Sequence, residues 1–281
     1  FLPRFPIETC RPGDAVPTND PWLATGHLPD FTVVTPIFHR GEIVGFAGSI
    51  AHSPDVGGAL WSADCRELFE EGIRILPIRL IRAGEWNSDV TDILTANVRL
   101  PRQVLGDLEA QVIANEVAVR RVGEFLTDTG LTSLQGLSAE LHARTDRAMR
   151  RSIAMVPDGV YKSVIEADGF DERTTRIVCT VTVTGETMHI GYDGTSAQID
   201  RGINCVMNYT HAYSVYPVKC ALDPFTPRNE GSYRAITVSA PERSILNPVY
   251  PAPCSARQLT GHLLAGAIYR ALESVLPRDQ M

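Results

Sequence analysis

The chain has 281 residues, of which 44% are hydrophobic and 21% are charged. This balance is typical of a globular protein and excludes extensive disorder. The formal net charge of −7 gives a surface that repels phosphate backbones, which argues against a nucleic-acid-binding protein.

Membrane and disulfide-rich classes are also disfavoured. No apolar run approaches the roughly 20 residues of a membrane-spanning helix, and no secretory leader pattern is present. The six cysteines include no Cys-x-x-Cys pair, so a thiolate zinc site is not indicated. We expect reduced, mostly buried thiols in a cytoplasmic protein. Because the sequence opens without an initiating Met, we expect a fragment or a shortened gene product.

Residues 1–100 are rich in Gly, Pro and Asp and contain short apolar runs. Runs at 31–34 and 43–47 predict two strands, and the residues between them predict a turn, so that the pair forms a hairpin. A third strand candidate covers residues 73–80 and is interrupted by a proline.

Residues 101–156 are expected to form two helices. Apolar residues recur at helical spacing from Val104 to Phe125, and Gly130 breaks this pattern. A second helical run starts at Ser138 and ends before residues 157–159, which read Pro-Asp-Gly.

Residues 157–281 are expected to be mainly β-structure. Strands are predicted at 175–183, 188–192 and 235–238, the first two as a hairpin, and a terminal helix is predicted at 259–276. The fold class is therefore mixed α+β. A loop-rich amino-terminal region precedes a central helical pair and a β-rich carboxyl-terminal half with its terminal helix.

Two loops each place a His three residues before an Asp. They are His27 with Asp30 and His52 with Asp55. Imidazole and carboxylate together suit Zn, Mn or Fe, and the flanking prolines and glycines favour rigid loops in which four ligands could converge. The alternative stays open, because an Asp at this spacing often caps a turn while the His bonds a backbone group.

Other polar candidates are weaker. His189 lies in a strand pattern and is expected to be a structural His. His211 lies between two tyrosines and could line a pocket or take part in aromatic packing. The run at 191–196 could bind phosphate through its backbone, but it lacks the lysine of a Walker loop, and a hairpin end is preferred.

A series of ordered motifs resembles the hydantoinase B/oxoprolinase family, over about residues 11–270. The first three are Thr-Asn-Asp-Pro, Gly-His-Leu-Pro-Asp and Ala-His-x-x-Asp-Val-Gly-Gly. In order along the chain, the matching segments are 18–21, 26–30, 51–58, 70–77, 194–198, 202–204, 229–231, 240–242 and 246–248.

The resemblance implies an enzyme part that works with an A-type subunit, which binds ATP and phosphorylates the substrate. Relatives include 5-oxoprolinases, N-methylhydantoinases, and subunits of acetone and acetophenone carboxylases. It places His27, Asp30, His52 and Asp55 in the metal-site loops, with Asp20 as a weaker ligand or as an acceptor that fixes a His tautomer.

The favoured function is a metal-holding B-type subunit of an ATP-dependent cyclic amidohydrolase, which opens hydantoin-like or 5-oxoproline-like rings within an oligomer. A subunit of a ketone carboxylase and a non-catalytic scaffold subunit are the alternatives. The resemblance also implies one domain over residues 1–281. Its subregions are metal-site loops and hairpin in 1–100, helices in 101–156, and the β-rich part with its helix in 157–281.

The sequence departs from the family pattern at two places. Residues 24–27 read Ala-Thr-Gly-His where Gly-Gly-Thr/Asn-His is usual, and residues 60–64 read Leu-Trp-Ser-Ala-Asp where a Pro-Gly-Ser stretch is usual. The bulky Trp61 is expected to close or reshape the pocket. Relatives are longer before residue 1, so a ligand on that segment would be missing here.

Overall fold

A computed structural model describes residues 3–170 and 174–276 of the chain. The chain divides into two compact units, Phe1–Gly136 and Leu137–Met281. Helices and strands occur in both units, which confirms the mixed α+β class. The one-domain assignment and its subregion bounds stay a prediction.

The first unit contains a three-stranded antiparallel sheet in the order β1-β2-β3. Its strands are β1 (Val16–Thr18), β2 (Asp30–His39) and β3 (Glu42–His52). The predicted hairpin is confirmed, and its strands are longer than their apolar centres. Arg40 and Gly41 form the turn with φ of 52° and 87°, since a two-residue hairpin turn of type I′ requires positive φ at both positions.

Helices and a small second sheet complete the first unit. In chain order they are a 3₁₀ helix (Ile7–Thr9), α1 (Leu68–Glu71), β4 (Ile81–Arg82), β5 (Glu85–Trp86), α2 (Ser88–Ala96) and α3 (Pro101–Thr129). Helix α3 packs on β2 and β3 through Val104, Leu108 and Val112, which recur every four residues and are buried. It ends at Gly130, where φ is 71°, as a left-handed C-cap favours.

The strand predicted over residues 73–80 is wrong. Hydrogen bonds to the segment around β1 replace a ladder there. Ile75 N donates to Oδ1 of Asn19 at 2.6 Å, and its carbonyl accepts from Thr18 Oγ1 at 2.8 Å. Pro77 has no N–H to donate, so a regular strand does not form.

The second unit contains a four-stranded sheet in the order β6-β7-β8-β9, antiparallel except for the β8–β9 pair. Its elements are α4 (Gln135–Ile153), which begins at the end of the first unit, β6 (Gly159–Ala167), β7 (Thr175–Thr184), β8 (Thr187–Gly191), α5 (Met207–Leu222), a 3₁₀ helix (Glu230–Tyr233), β9 (Ile236–Ser239) and α6 (Gln258–Leu272). Helix α6 packs on β6 and β7, and α5 packs on α6.

Most predicted elements of this unit are confirmed, namely α4, β7, β8, β9 and α6. Sequence analysis missed β6 and α5. Helix α5 buries polar side chains, among them Thr210, Ser214 and Lys219, and contains Pro217. The usual alternation of an apolar and a polar face is therefore absent from its sequence.

All six cysteines are free thiols, and five of them are buried, as predicted. Burial raises the pKa of Cys179 and of Cys205 to about 12 in each case, so both remain protonated at neutral pH. Within residues 3–170 and 174–276, no helix has both the length and the apolar character that crossing a bilayer requires.

Candidate metal centre

Three of the four predicted ligands lie together at one end of the β2–β3 hairpin. Asp30 begins β2, His52 ends β3, and the two residues are direct cross-strand partners. His27 lies on the loop that enters β2. Nε2 of His27 is 3.1 Å from Asp30 Oδ2, and Nε2 of His52 is 2.9 Å from Asp30 Oδ1. We call His27, Asp30 and His52 the His-Asp-His group.

The donor atoms of this group fit a single divalent cation. One atom from each residue lies within 4.8 Å of the other two. Ligand atoms at about 2.1 Å from a shared ion lie at most about 4.2 Å apart, so small side-chain movements suffice. Two imidazole nitrogens and a carboxylate form a set that Zn, Mn and Fe accept.

The His-Asp-His group is closed on one side and open on the other. The side chain of His27 is fully buried, and that of Asp30 is 6% exposed, whereas the side chain of His52 is 58% exposed. A small molecule can therefore approach the group from the His52 side.

The Asp30 carboxylate is oriented by a third neighbour. Thr25 donates a hydrogen bond from Oγ1 to Asp30 Oδ2 at 2.6 Å. Such bonds fix the direction of a ligating carboxylate and tune its basicity. Sequence analysis did not assign this role to Thr25. The only available signal was a hydroxyl residue two positions before His27.

The loop that carries His27 is anchored by a buried amide. Asn19 donates from Nδ2 to the carbonyls of Leu28 at 3.0 Å and Ile73 at 2.9 Å. The side chain is fully buried, so an unsatisfied amide there would be costly. Asn19 therefore holds the loop between His27 and Asp30 against the segment that follows α1.

Asp20 lies outside the His-Asp-His group. Its Oδ2 accepts hydrogen bonds from Arg74, with Nε at 2.7 Å, and its Oδ1 accepts from the main-chain N–H of Trp22 at 2.9 Å. The carboxylate thus forms a buried ion pair and caps a turn.

Asp55, the fourth predicted ligand, also lies outside the group. Its carboxylate accepts from the main-chain N–H groups of Gly57 at 2.9 Å, Leu100 at 3.1 Å and Arg99, and Nη1 of Arg99 is 3.1 Å from Oδ1. Burial opposes ionisation, but these hydrogen bonds and the Arg99 charge outweigh it and lower the pKa of Asp55. The residue fastens the loop after β3 to the start of α3.

Trp61 packs on both imidazoles of the group. Its ring centroid lies 5.1 Å from that of His27 and 5.2 Å from that of His52. The two imidazole centroids are themselves 5.2 Å apart. The side chain is a half-exposed wall of the site, as the predicted reshaping of the pocket by Trp61 requires.

The weaker candidates have other roles in the second unit. Both ring nitrogens of His189 lie within hydrogen-bond distance of hydroxyls, Thr237 Oγ1 at 2.9 Å and Ser239 Oγ at 3.1 Å, which confirms a satisfied structural His. His211 lines an open pocket with three tyrosines. Ser196 accepts from Arg176 N at 2.9 Å, so this loop joins β7, as expected of a hairpin end.

Comparisons with known proteins agree with this architecture. The chain is 32% identical, over 97% of its length, to a protein of Pseudomonas sp. (strain NS671) named as the B-type subunit of a D-/L-hydantoinase, and it covers 49% of that protein. The structure of the ATP-dependent caprolactamase from Pseudomonas jessenii matches with a TM-score of 0.92 and 29% identity, over 98% of this chain and 48% of that one.

A more distant likeness extends to an acetone carboxylase. Its nucleotide-free structure matches with a TM-score of 0.83 and 18% identity, over 98% of this chain and 38% of that chain. At this identity the likeness establishes the fold alone. The chain spans about half the length of the hydantoinase and caprolactamase relatives.

The model of one protein family, described as hydantoinase B/oxoprolinase, matches residues 2–281. That match extends over almost the whole chain and includes the loops and hairpin that form the His-Asp-His group. The chain therefore belongs to the hydantoinase B/oxoprolinase family.

Proposed function

We propose that this chain is the metal-holding B-type part of an ATP-dependent cyclic amidohydrolase. The observation that carries the proposal is the convergence of His27, Asp30 and His52. Three protein ligands with further positions open are typical of catalytic rather than structural metal sites. The open side at His52 supports access by a small substrate.

The residues of the site have distinct roles in this proposal. His27 and His52 would present neutral Nε2 atoms, and Asp30 would supply a charged oxygen that Thr25 keeps in position. A divalent ion held there would act as a Lewis acid on an activated amide carbonyl and make a nearby water more acidic. We propose that Asp55 and Asp20 shape the loops instead of binding the ion.

The substrate and partner are inferred from the relatives. One relative is named as part of a hydantoinase and another as a caprolactamase, which supports a small cyclic amide as substrate. The sequence contains no Gly-x-x-x-x-Gly-Lys-Ser/Thr loop, so we propose that an A-type partner binds ATP and activates the amide. The two would form a cytoplasmic hetero-oligomer.

The test is ring opening by the complete protein with its ATP-binding partner. Hydantoin, 5-oxoproline and ε-caprolactam are supplied separately with ATP, and release of the linear product is measured. We expect ATP-dependent opening of at least one ring. Incorporation of labelled bicarbonate into a ketone, with no ring opened, would favour the carboxylase alternative.

The scaffold alternative is tested with His52→Ala and a matched control. His189→Ala removes an imidazole outside the site. We expect His52→Ala to abolish ring opening while complex formation persists, and His189→Ala to preserve both. Unchanged ring opening in the His52→Ala complex would identify the chain as a scaffold.

A further inference from the structure

The indole of Trp61 forms a built surface of the candidate site. The rings of Trp61, His27 and His52 form a near-equilateral triangle with centroid separations of 5.1–5.2 Å. Trp61 is 48% exposed despite these contacts. Part of the indole therefore meets solvent directly beside the imidazoles that would hold the cation.

The backbone at Trp61 is held in an unfavourable conformation. Its φ is 58°, in the left-handed region that bulky residues rarely adopt. Strain of this kind persists where the surroundings enforce it, and it clusters at ligand-binding sites. A glycine at this position would relieve the strain, so the indole has a role that outweighs its conformational cost.

The loop before Trp61 is fixed by close backbone packing. A Cβ at Gly58 would lie 2.2 Å from the carbonyl carbon of Glu71, and one at Gly57 would lie 2.1 Å from Asn97 O. Ala59 N also donates to Glu70 O at 2.9 Å. These contacts enforce the path of the loop and keep the indole against His27 and His52.

We propose that Trp61 determines specificity, because its exposed indole stacks on the ring of the bound cyclic amide and selects flat rings. Hydantoin-like rings are planar and conjugated, so one face can lie along the indole. A saturated seven-membered lactam is puckered and makes fewer atomic contacts with a flat surface. This inference rests on the proposed function, since it places the amide beside the His-Asp-His group.

The test measures binding rather than turnover. The complete protein is loaded with Co²⁺, and the metal content is determined first. Hydantoin and ε-caprolactam are then titrated by calorimetry and by tryptophan fluorescence, for wild type, Trp61→Phe and Trp61→Gly. Trp86→Phe is the matched control, since it removes a similarly exposed indole on β5.

We expect Trp61→Gly to weaken hydantoin binding about tenfold, as loss of one aromatic stack predicts, and Trp61→Phe to weaken it much less. Caprolactam binding should change by less than about twofold, and all variants should retain one ion per chain. Because glycine suits this backbone, a folding defect does not explain the loss in Trp61→Gly.

Several results would overturn the inference and leave the proposed function standing. They are an equal loss for both rings, no loss for either ring, or metal-loaded wild type that binds no hydantoin. A wild-type protein that takes up no cation would instead contradict the proposed function, and the inference with it.

Discussion

His52 and Asp30 are direct partners across the β2–β3 ladder, and His52 Nε2 lies 2.9 Å from Asp30 Oδ1. The register of a hairpin therefore brings together two residues that are distant in sequence. A slip of one residue would turn His52 to the opposite face of the sheet. The turn at Arg40–Gly41 sets this register, so the site depends on a turn at the far end of the hairpin.

Thr25→Val tests whether the hydroxyl on Asp30 supports metal binding. Valine keeps the shape of threonine but cannot donate to Oδ2, and loss of such an outer hydrogen bond lowers metal affinity about 10- to 100-fold. Competition with a chelator measures the affinity. Thr25→Ser retains the hydroxyl and should remain close to wild type. Equal affinities in Thr25→Val and wild type would remove this role.

Asp55→Asn separates the anchoring role of Asp55 from the predicted ligand role. An amide cannot accept from all of the main-chain N–H groups that the carboxylate binds. We expect the free energy of unfolding to fall by about 2 kcal/mol, measured by urea denaturation, while one ion per chain is retained. Asp89→Asn, an exposed carboxylate in α2, should change stability by less than about 0.5 kcal/mol.

The opposite result for Asp55→Asn is equally informative. Loss of the ion with unchanged unfolding would return Asp55 to the ligand set that its His-x-x-Asp spacing predicted.

Asp223 gives the protein an acid-sensitive contact in the second unit. Its carboxylate lies 2.8 Å from Nζ of Lys219, whose side chain is only 2% exposed. Burial would raise the pKa of Asp223, but hydrogen bonds from Lys219 and Thr226 and the Lys219 charge lower it below the ordinary 3.8. The stability that Asp223 contributes is therefore present above pH 3.8 and lost as the pH falls through the folded-state pKa.

Asp223→Asn should lower the free energy of unfolding by about 3 kcal/mol at neutral pH, because the Lys219 charge is left buried and uncompensated. The difference from wild type should shrink below about pH 4, in denaturation measured as a function of pH. Lys219→Met combined with Asp223→Asn should recover much of the loss. A difference that stays constant with pH would contradict this account.

Sequence analysis predicted those elements whose signals are local. The β2–β3 hairpin, the break at Gly130 and the apolar helix α6 follow from turn residues and hydrophobic spacing. Helix α5 and β6 did not follow, because α5 buries polar side chains that find partners only in the folded unit, such as Ser214 with Tyr192 at 2.7 Å.

The candidate site could be predicted only in part for the same reason. The pairing of Asp30 with His52 depends on a hairpin that the sequence announces. The environments of Asp55 and Asp20 depend on Arg99 and Arg74, which the chain brings near from other segments. Spacing alone cannot distinguish a carboxylate that is already bound by main-chain N–H groups from one that faces a cation.

The most direct test of the central claim is metal content, measured by mass spectrometry after loading with Zn²⁺, Mn²⁺ or Fe²⁺ and exhaustive dialysis. We expect one ion per chain in wild type and in His189→Ala, and none in Asp30→Asn or His52→Ala, with all four proteins folded by circular dichroism. Wild type without an ion, or Asp30→Asn with the same content as wild type, would contradict the claim that His27, Asp30 and His52 hold a metal.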